Sequence, residues 1–146
     1  MSTRSFIGIE ETDGSIKAVY CHWDGYPEHN GVILYSSYST ETRVRELIAL
    51  GDLSVLGHEI NPPAGEHHSF DTPYKDVTVA YCRDRGEKFV EPLSCLNRKE
   101  LVRALQDSWG EFVYLFCCSN SSWEVAKVQN TELVWKPLKD IVAPYL

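Results

Sequence analysis

The chain has 146 residues, of which 43% are hydrophobic and 24% are charged, and its formal net charge is −7. This composition is typical of a globular domain with its own core, and no apolar run approaches the roughly 18 to 20 residues that a membrane-spanning helix needs. The polar, acidic start of the chain argues against a secretory signal, and the negative charge argues against nonspecific binding to nucleic acids. A nucleic-acid mimic would need clustered carboxylates, whereas those of this chain are interspersed with Lys and Arg.

A β-hairpin is predicted at the start of the chain. Residues 4–10 and 15–23 are rich in apolar and aromatic side chains and flank Asp13–Gly14, which is a strong signal for a two-residue turn. A turn at these two residues would place Glu10 opposite Lys17, an attractive cross-strand pair. Both faces of the hairpin would then be largely apolar, so we expect it to be covered on both sides.

A dense set of aromatic and hydrogen-bonding side chains occupies residues 20–31, YCHWDGYPEHNG. Trp and Tyr offer rigid contact surface, while Asp and His offer directional hydrogen bonds and titratable charge. A connecting loop does not need this much chemistry, so we predict a recognition or catalytic loop. Its predicted binding residues are His22, Trp23, Asp24, Tyr26, His29 and Asn30.

Helices and one long loop are predicted in the middle of the chain. A short helix is expected after Asn30–Gly31, and a firmer one over residues 41–50, where Thr40 is a suitable N-cap and apolar residues recur at helical spacing. Residues 52–56 are expected to add one helical turn. Residues 57–76 contain three prolines and two glycines and predict a long loop, which is often a functional element when it lies inside a compact domain.

Strands dominate the remainder. Residues 77–82 predict a strand followed by a charged turn, and Asn97 begins a capping pattern for a helix that ends near Gly110. The continuous apolar run over 112–118 is typical of a central strand, and two more strands are expected over 123–128 and 131–136, joined by a turn at Gln129-Asn130. We therefore predict a single α+β domain with a mainly antiparallel sheet and two to three helices packed on it.

All five histidines lie between positions 22 and 68, close in sequence to several aspartates. If the long loop folds over the end of the hairpin, a ligand set of the kind that zinc uses would form there. The residues that would converge are His22, Asp24, either His67 or His68, and Asp71. No recognised metal-binding spacing is present, so we expect no metal and no cofactor. A small metal-dependent hydrolase is kept as an alternative, with no catalytic residue assigned.

A nucleotide-type small molecule is a second possible ligand. Trp23, Tyr26 and Tyr74 would offer an aromatic platform for a base, and Arg83 and Arg85 would hold phosphate by bidentate contacts. The simpler interpretation is that Trp23 belongs to the core and that the two arginines pair with neighbouring carboxylates on a solvated turn. This simpler interpretation is preferred.

The five cysteines form an odd set without CxxC spacing, and most of them lie in apolar, strand-like runs. This pattern favours buried free thiols in a reducing compartment over a disulfide framework.

Four stretches of the sequence resemble a group of small proteins from bacteriophages and prophages. They are MSTRSFIGIE, YCHWDGYPEHNG, ELIALGDLSVLG and VTVAYCRDRGE, and they cover most of the first 87 residues. The resemblance implies a phage accessory protein that acts in the cytoplasm of a bacterial host, where such proteins are often inhibitors or sequestrants aimed at host defence. It carries over no catalytic or binding residue.

The predicted function is therefore binding and neutralisation of a host component, with residues 22–30 and 57–76 as the working face. The partner would be a host protein, such as a CRISPR effector, or a nucleotide signal. We expect no nonspecific nucleic-acid binding and no membrane association, and a homo-oligomer is left open. Besides the hydrolase, the alternative is a structural or assembly subunit of a phage.

Overall fold

The computed structural model describes residues 2–128 and 133–146, and this part of the chain has the predicted α+β fold in one domain. Its eight strands form one sheet. The strands are β1 (Ser5–Glu10), β2 (Ile16–Cys21), β3 (Leu53–Val55), β4 (Val79–Ala80), β5 (Leu93–Cys95), β6 (Phe112–Cys117), β7 (Ser122–Lys127) and β8 (Lys136–Pro137). The α-helices are α1 (Val32–Ser37), α2 (Glu41–Ile48), α3 (Tyr81–Arg85), α4 (Arg98–Leu105) and α5 (Leu138–Val142).

The sheet is mixed, with antiparallel pairs in the majority. Its order is β4-β3-β2-β1-β6-β7-β8. The remaining strand, β5, pairs with β2 along the same edge of β2 that pairs with β3. The β1–β6 and β2–β3 pairs are parallel, and the other strand pairs are antiparallel. No helix in the described residues is long and apolar enough to cross a membrane.

The hairpin of β1 and β2 forms, but the predicted register is wrong by one residue. Glu10 lies opposite Ile16, and Lys17 lies opposite Ile9. The turn contains three residues rather than two, because the Gly14 N–H donates to the Glu11 carbonyl at 2.9 Å and Gly14 then takes a left-handed φ of 90°. This is a type I turn followed by a bulge, the next commonest hairpin connection after the two-residue turn.

Both faces of the hairpin are covered, as predicted, although the corrected register changes which side chains share a face. One face buries Ile7 and Val19 in a large core with α1, α2 and α5. The other face buries Ile16 in a smaller core, to which α4 contributes Leu101 and Leu105. Helices therefore lie on both sides of the sheet, and burial of these apolar side chains is the main favourable contribution to folding.

Local end signals predicted two helices well. The Thr40 hydroxyl accepts a hydrogen bond from the Arg43 N–H at 3.3 Å at the start of α2, and the Asn97 side chain accepts one from the Glu100 N–H at 2.9 Å at the start of α4. These N-caps satisfy backbone donors that the helix itself leaves unpaired. The helix starts are therefore confirmed to the residue.

Other boundaries differ from the predictions. The turn of helix expected at residues 52–56 is strand β3, and the strand expected at 77–82 is reduced to β4, because α3 already begins at Tyr81. Five α-helices are present in the described residues instead of two to three, since α3 and α5 were not predicted. The predicted turn at Gln129-Asn130 lies outside the described residues, as do the first two residues of the predicted 131–136 strand.

All five cysteines are free thiols, as predicted. Cys21, Cys95 and Cys117 are buried, whereas Cys82 and Cys118 are partly exposed. Burial raises the pKa of Cys21 to about 12 although the Asn30 amide and the backbone of Trp23 and Leu56 partly offset it, so this thiol stays protonated at neutral pH.

Candidate functional site

Half of the YCHWDGYPEHNG segment is scaffold. Asn30 is fully buried, and its Nδ2 donates to the Trp23 carbonyl at 3.4 Å. Gly25 is also buried: a Cβ there would lie 2.7 Å from the Cβ of Ser5, and its carbonyl accepts a hydrogen bond from the Tyr114 hydroxyl at 2.6 Å. These contacts fix the path of the chain between β2 and α1. Asn30, predicted as a binding residue, is therefore a scaffold residue that is not exposed to a partner.

The other half of the segment faces outward. Trp23 is 42% exposed, and the Tyr26 hydroxyl donates to the Asp24 carboxylate at 3.2 Å. Asp24 takes a left-handed φ of 56°, a conformation that Asp and Asn tolerate better than most residues. The Tyr26 ring lies 6.2 Å from the His29 ring, and Glu28 between them in sequence is exposed. The short π-helical turn Pro27–Gly31 therefore presents Glu28 and His29 outward, directly after Tyr26.

The buried amide of Asn30 determines where His29 carries its hydrogen. Because the Trp23 carbonyl can only accept, the NH₂ group of Asn30 must face it, and Oδ1 then faces His29 Nδ1 at 2.8 Å. Nδ1 of His29 is therefore the donor. The other nitrogen, Nε2, is an acceptor in the neutral ring, and among the described residues none forms a hydrogen bond with it.

A groove of about 380 Å³ joins the two predicted loops. We call it the two-loop groove. Its polar lining residues are Glu28, His29, His58, Tyr74 and Asp76. Its apolar lining residues are Val32, Ile33, Val55, Leu56 and Val77. The groove thus brings together His29 from the first predicted loop and Tyr74 from the second. The backbone of Trp23 is anchored next to this lining, since its main-chain N–H donates to the carbonyl of Ser54, the residue before Val55.

The floor of the two-loop groove depends on close backbone packing at Gly57. A Cβ at Gly57 would lie 2.5 Å from the Asp76 carbonyl oxygen, so no other residue fits without movement of the backbone. The Gly57 carbonyl accepts from the Tyr38 hydroxyl at 2.7 Å, and its N–H donates to the Thr78 hydroxyl at 2.9 Å. Asp76 itself has a left-handed φ of 63°. The groove is therefore preformed by a rigid internal network.

The two-loop groove has an acidic rim. The Glu28 and Asp76 carboxylates make no hydrogen bond or ion pair with another described residue. None of the described lining residues is a lysine or an arginine. Arg43 lies behind His58, where it donates to the carbonyls of Ser37 and His58, both at 2.9 Å. The groove therefore offers negative charge that nothing in the described fold neutralises by direct contact.

A second polar cluster, formed by His68, Arg83 and Asp84, holds the middle of the long loop. We call it the clamp. Arg83 donates to the carbonyls of Ile60 at 2.7 Å and Thr78 at 2.8 Å and forms an ion pair with Asp84 at 2.9 Å. His68 accepts from the Tyr74 N–H at 2.8 Å and faces the Thr78 carbonyl at 3.0 Å.

Electrostatics in the clamp favour a charged Asp84. Burial of the carboxyl raises its pKa, but the hydrogen bonds from Arg83 and the Ala80 N–H lower it by more, so the pKa lies below its ordinary value. Every guanidinium nitrogen of Arg83 donates to an acceptor within the fold. Arg83 is thus engaged in holding the loop, and has little capacity left for phosphate.

Arg85 is also engaged, though on the surface. Its guanidinium lies 4.6 Å from the centre of the Phe70 ring, and it pairs with Glu87 at 3.5 Å. The simpler interpretation of the two arginines, pairing with Asp84 and Glu87, is therefore seen in the structure. Trp23, in contrast, is partly exposed and not a core residue.

The remaining predicted ligands are distributed among separate networks. His22 Nδ1 lies 2.7 Å from the Tyr20 hydroxyl, and His67 Nε2 lies 2.6 Å from the hydroxyl of Thr72. Asp71 is exposed. Within residues 2–128 and 133–146, no group of three or more His, Cys, Asp or Glu side chains is placed to hold a metal ion.

Sequence reasoning missed Glu28, Gly57, His58 and Asp76, four residues of the two-loop groove or its floor. Glu28 and Asp76 lie in the two segments that the sequence singled out, but the prediction there rested on their aromatic and histidine neighbours. A cavity of similar size, about 400 Å³, lies near Phe112 and Ile141, but of the predicted site residues none lines it.

The comparisons with protein-family models, curated proteins and solved structures found no match to this chain.

Proposed function

We propose that this chain is a phage-type accessory protein that binds a protein of the bacterial host and neutralises it, as an anti-defence inhibitor does. The observation that carries the proposal is the two-loop groove, which is lined by Tyr74 and by His29, whose ring lies 6.2 Å from the partly exposed ring of Tyr26. Exposed aromatic side chains beside directional polar groups are typical of binding hot spots, where one truncation often weakens binding by about 2 kcal/mol or more.

A protein partner is favoured over a nucleotide. Nucleotide sequestration requires groups that hold phosphate, and the arginines predicted for that task are engaged, Arg83 with the long loop and Arg85 with Phe70 and Glu87. The groove between the two loops is instead rimmed by the carboxylates of Glu28 and Asp76, which would repel a phosphate. The negative net charge of the chain also disfavours the approach of a phosphate.

Capture from bacterial lysate tests the proposal. The immobilised wild-type chain is compared with a Tyr74→Ala variant and with a Trp109→Ala control, since Trp109 is exposed but does not line the groove. We expect one host protein to be retained by wild type and by the control, and to be lost with Tyr74→Ala. Small molecules are extracted from the same samples. Retention of a nucleotide without a protein, or of nothing, would contradict the proposal.

A further inference from the structure

The two-loop groove combines features that recognise a cationic side chain. Its apolar walls, which include Val32, Val55 and Val77, suit a hydrocarbon stem, and its rim carries two carboxylates without an internal partner among the described residues. Lysine and arginine side chains commonly bury their methylene stems against apolar surface while the charged end lies among polar groups. The volume of about 380 Å³ lies at the small end of the range for ligand pockets, which fits a side chain better than a large ligand.

Two further lining side chains, those of Tyr74 and His29, would orient a cation in the groove. Tyr74 lines the groove with 36% of its surface exposed, and the face of a tyrosine ring attracts ammonium and guanidinium groups. His29 has its Nδ1 hydrogen committed to Asn30, so its Nε2 is available to accept a hydrogen bond from a charged donor. Lys75 lies between Tyr74 and Asp76 in sequence but does not line the groove, so it does not already occupy this position.

We propose that the two-loop groove receives a lysine or arginine side chain from a basic segment of the protein partner. The inference rests on the proposed function for the partner being a protein, and it adds the chemistry of the contact. Glu28 and Asp76 pair with the charged end, Tyr74 packs against it, and the apolar walls contact the stem. The net charge of −7 steers a basic segment toward the chain before the contact forms.

Small probes test this contact directly on the 146-residue chain. The probes are N-acetyl-lysine methylamide and N-acetyl-arginine methylamide, and their neutral counterparts carry an acetylated lysine or a citrulline. Amide chemical shifts of the isotopically labelled chain are followed during titration. We expect saturable shifts in residues 28–33, 55–58 and 74–77 with at least one cationic probe and none with the neutral counterparts. Equal responses to charged and neutral probes, shifts confined to other regions, or no saturable shift would overturn the inference.

Charge-neutral variants supply the matched control. Glu28→Gln combined with Asp76→Asn keeps the side-chain shapes, and Asn tolerates the left-handed backbone at position 76. We expect this double variant to weaken probe binding by about tenfold or more, which corresponds to roughly 1.4 kcal/mol. Glu66→Gln combined with Asp107→Asn removes two exposed carboxylates outside the groove and should leave binding within about twofold of wild type.

The same variants separate this inference from the proposed function. If a captured host protein binds the Glu28→Gln and Asp76→Asn variant as tightly as wild type, the contact is not a cationic side chain, although the binding function stands. If the probes saturate the groove but no host protein is captured, the groove chemistry stands and the proposed function fails. Loss of the captured protein with the double variant, together with retention by the Glu66→Gln and Asp107→Asn control, supports both.

Discussion

The clamp and the two-loop groove use their polar side chains in opposite ways. At the clamp, Arg83 gives every guanidinium nitrogen to an acceptor inside the fold, and His68 has both ring nitrogens in hydrogen-bonding contact. At the two-loop groove, the carboxylates of Glu28 and Asp76 have no hydrogen bond or ion pair within the described chain. The clamp therefore has few hydrogen-bonding groups left for a partner, whereas the carboxylates of the groove are still without one in the described chain.

This comparison shows why residue type alone is a poor guide to a site. His68 and Arg83 carry the chemistry of catalysis and phosphate binding, yet they hold the loop in place. Glu28 and Asp76 are ordinary acidic residues, yet their carboxylates are the ones that have no partner among the described residues. What distinguishes the two sets is hydrogen-bonding capacity that the fold leaves unused, since buried polar groups are normally paired inside the protein.

The largest expected effect is loss of stability at the clamp. Asp84→Ala removes the acceptor for Arg83 and for the Ala80 N–H, and its side chain is only 4% exposed. Leaving partly buried donors unpaired should lower the free energy of unfolding by about 3 kcal/mol. That corresponds to a thermal midpoint roughly 6 to 12 °C lower, measured by calorimetry. Asp71→Asn, in an exposed part of the same loop, is the control and should melt like wild type. Similar melting of Asp84→Ala and wild type would break the distinction between clamp and groove.

A slightly smaller loss is expected at the floor of the two-loop groove. Gly57→Ala would place its methyl group against the backbone of Asp76 and Val77, where the nearest atom is 2.5 Å away. The backbone must shift, so we expect about 2.5 kcal/mol of destabilisation and loss of binding to any groove ligand. Gly65→Ala is the control, because Gly65 has open space around it, and its positive φ alone should cost only about 1 kcal/mol. A Gly57→Ala chain with full stability would show that the groove floor is not rigid.

Within the YCHWDGYPEHNG segment, the same contrast predicts two different phenotypes. Asn30→Ala leaves the partly buried Nδ1–H of His29 without its acceptor, and should lower the free energy of unfolding by about 2 kcal/mol in urea denaturation. Tyr26→Ala should leave the thermal midpoint nearly unchanged, while it weakens binding of the captured partner roughly thirtyfold. A Tyr26→Ala variant that melts several degrees lower but binds normally would assign this side chain to the scaffold.

Local sequence signals account for the parts of the fold that were predicted. The caps at Thr40 and Asn97 each involve a residue three positions away, so the sequence contains the whole interaction. The predicted hairpin register was wrong because Gly14 takes a left-handed conformation at the end of the turn, which makes the turn three residues long rather than two. Strand β3 was missed because its three residues are defined by pairing with β2 and β4, which no local pattern reveals.

The site was predicted in the same uneven way. Composition singled out both loops that form the two-loop groove, and His29 and Tyr74 do line it. Composition did not distinguish Asn30, which is buried, from Glu28, which is exposed. That distinction depends on which side of a π-helical turn faces the core. The role of Gly57 depends on contact with Asp76, nineteen positions later in the numbering, and is visible only in three dimensions.

The smallest expected effect concerns stability in acid. The pKa of Asp84 is held below its ordinary value because hydrogen bonds from Arg83 and the Ala80 N–H outweigh burial. The unfolded chain therefore binds a proton at this carboxyl at higher pH than the folded chain does. The resulting stabilisation is fully present above about pH 4. It is lost as the pH falls below that value and through the lower pKa of the folded state.

Urea denaturation between about pH 3 and pH 6 measures this dependence in wild type and in Asp84→Asn. The variant keeps the shape of the side chain but cannot ionise, so its free energy of unfolding should fall less steeply with acid. Some decrease should persist in the variant, because Arg45 and Arg98 also hold the pKa values of Glu11 and Glu124 below their ordinary range. The difference between the two curves isolates Asp84. Parallel curves would mean that the carboxylate of the clamp does not contribute to stability through its charge, and that the shape of its hydrogen-bonding network alone holds the loop.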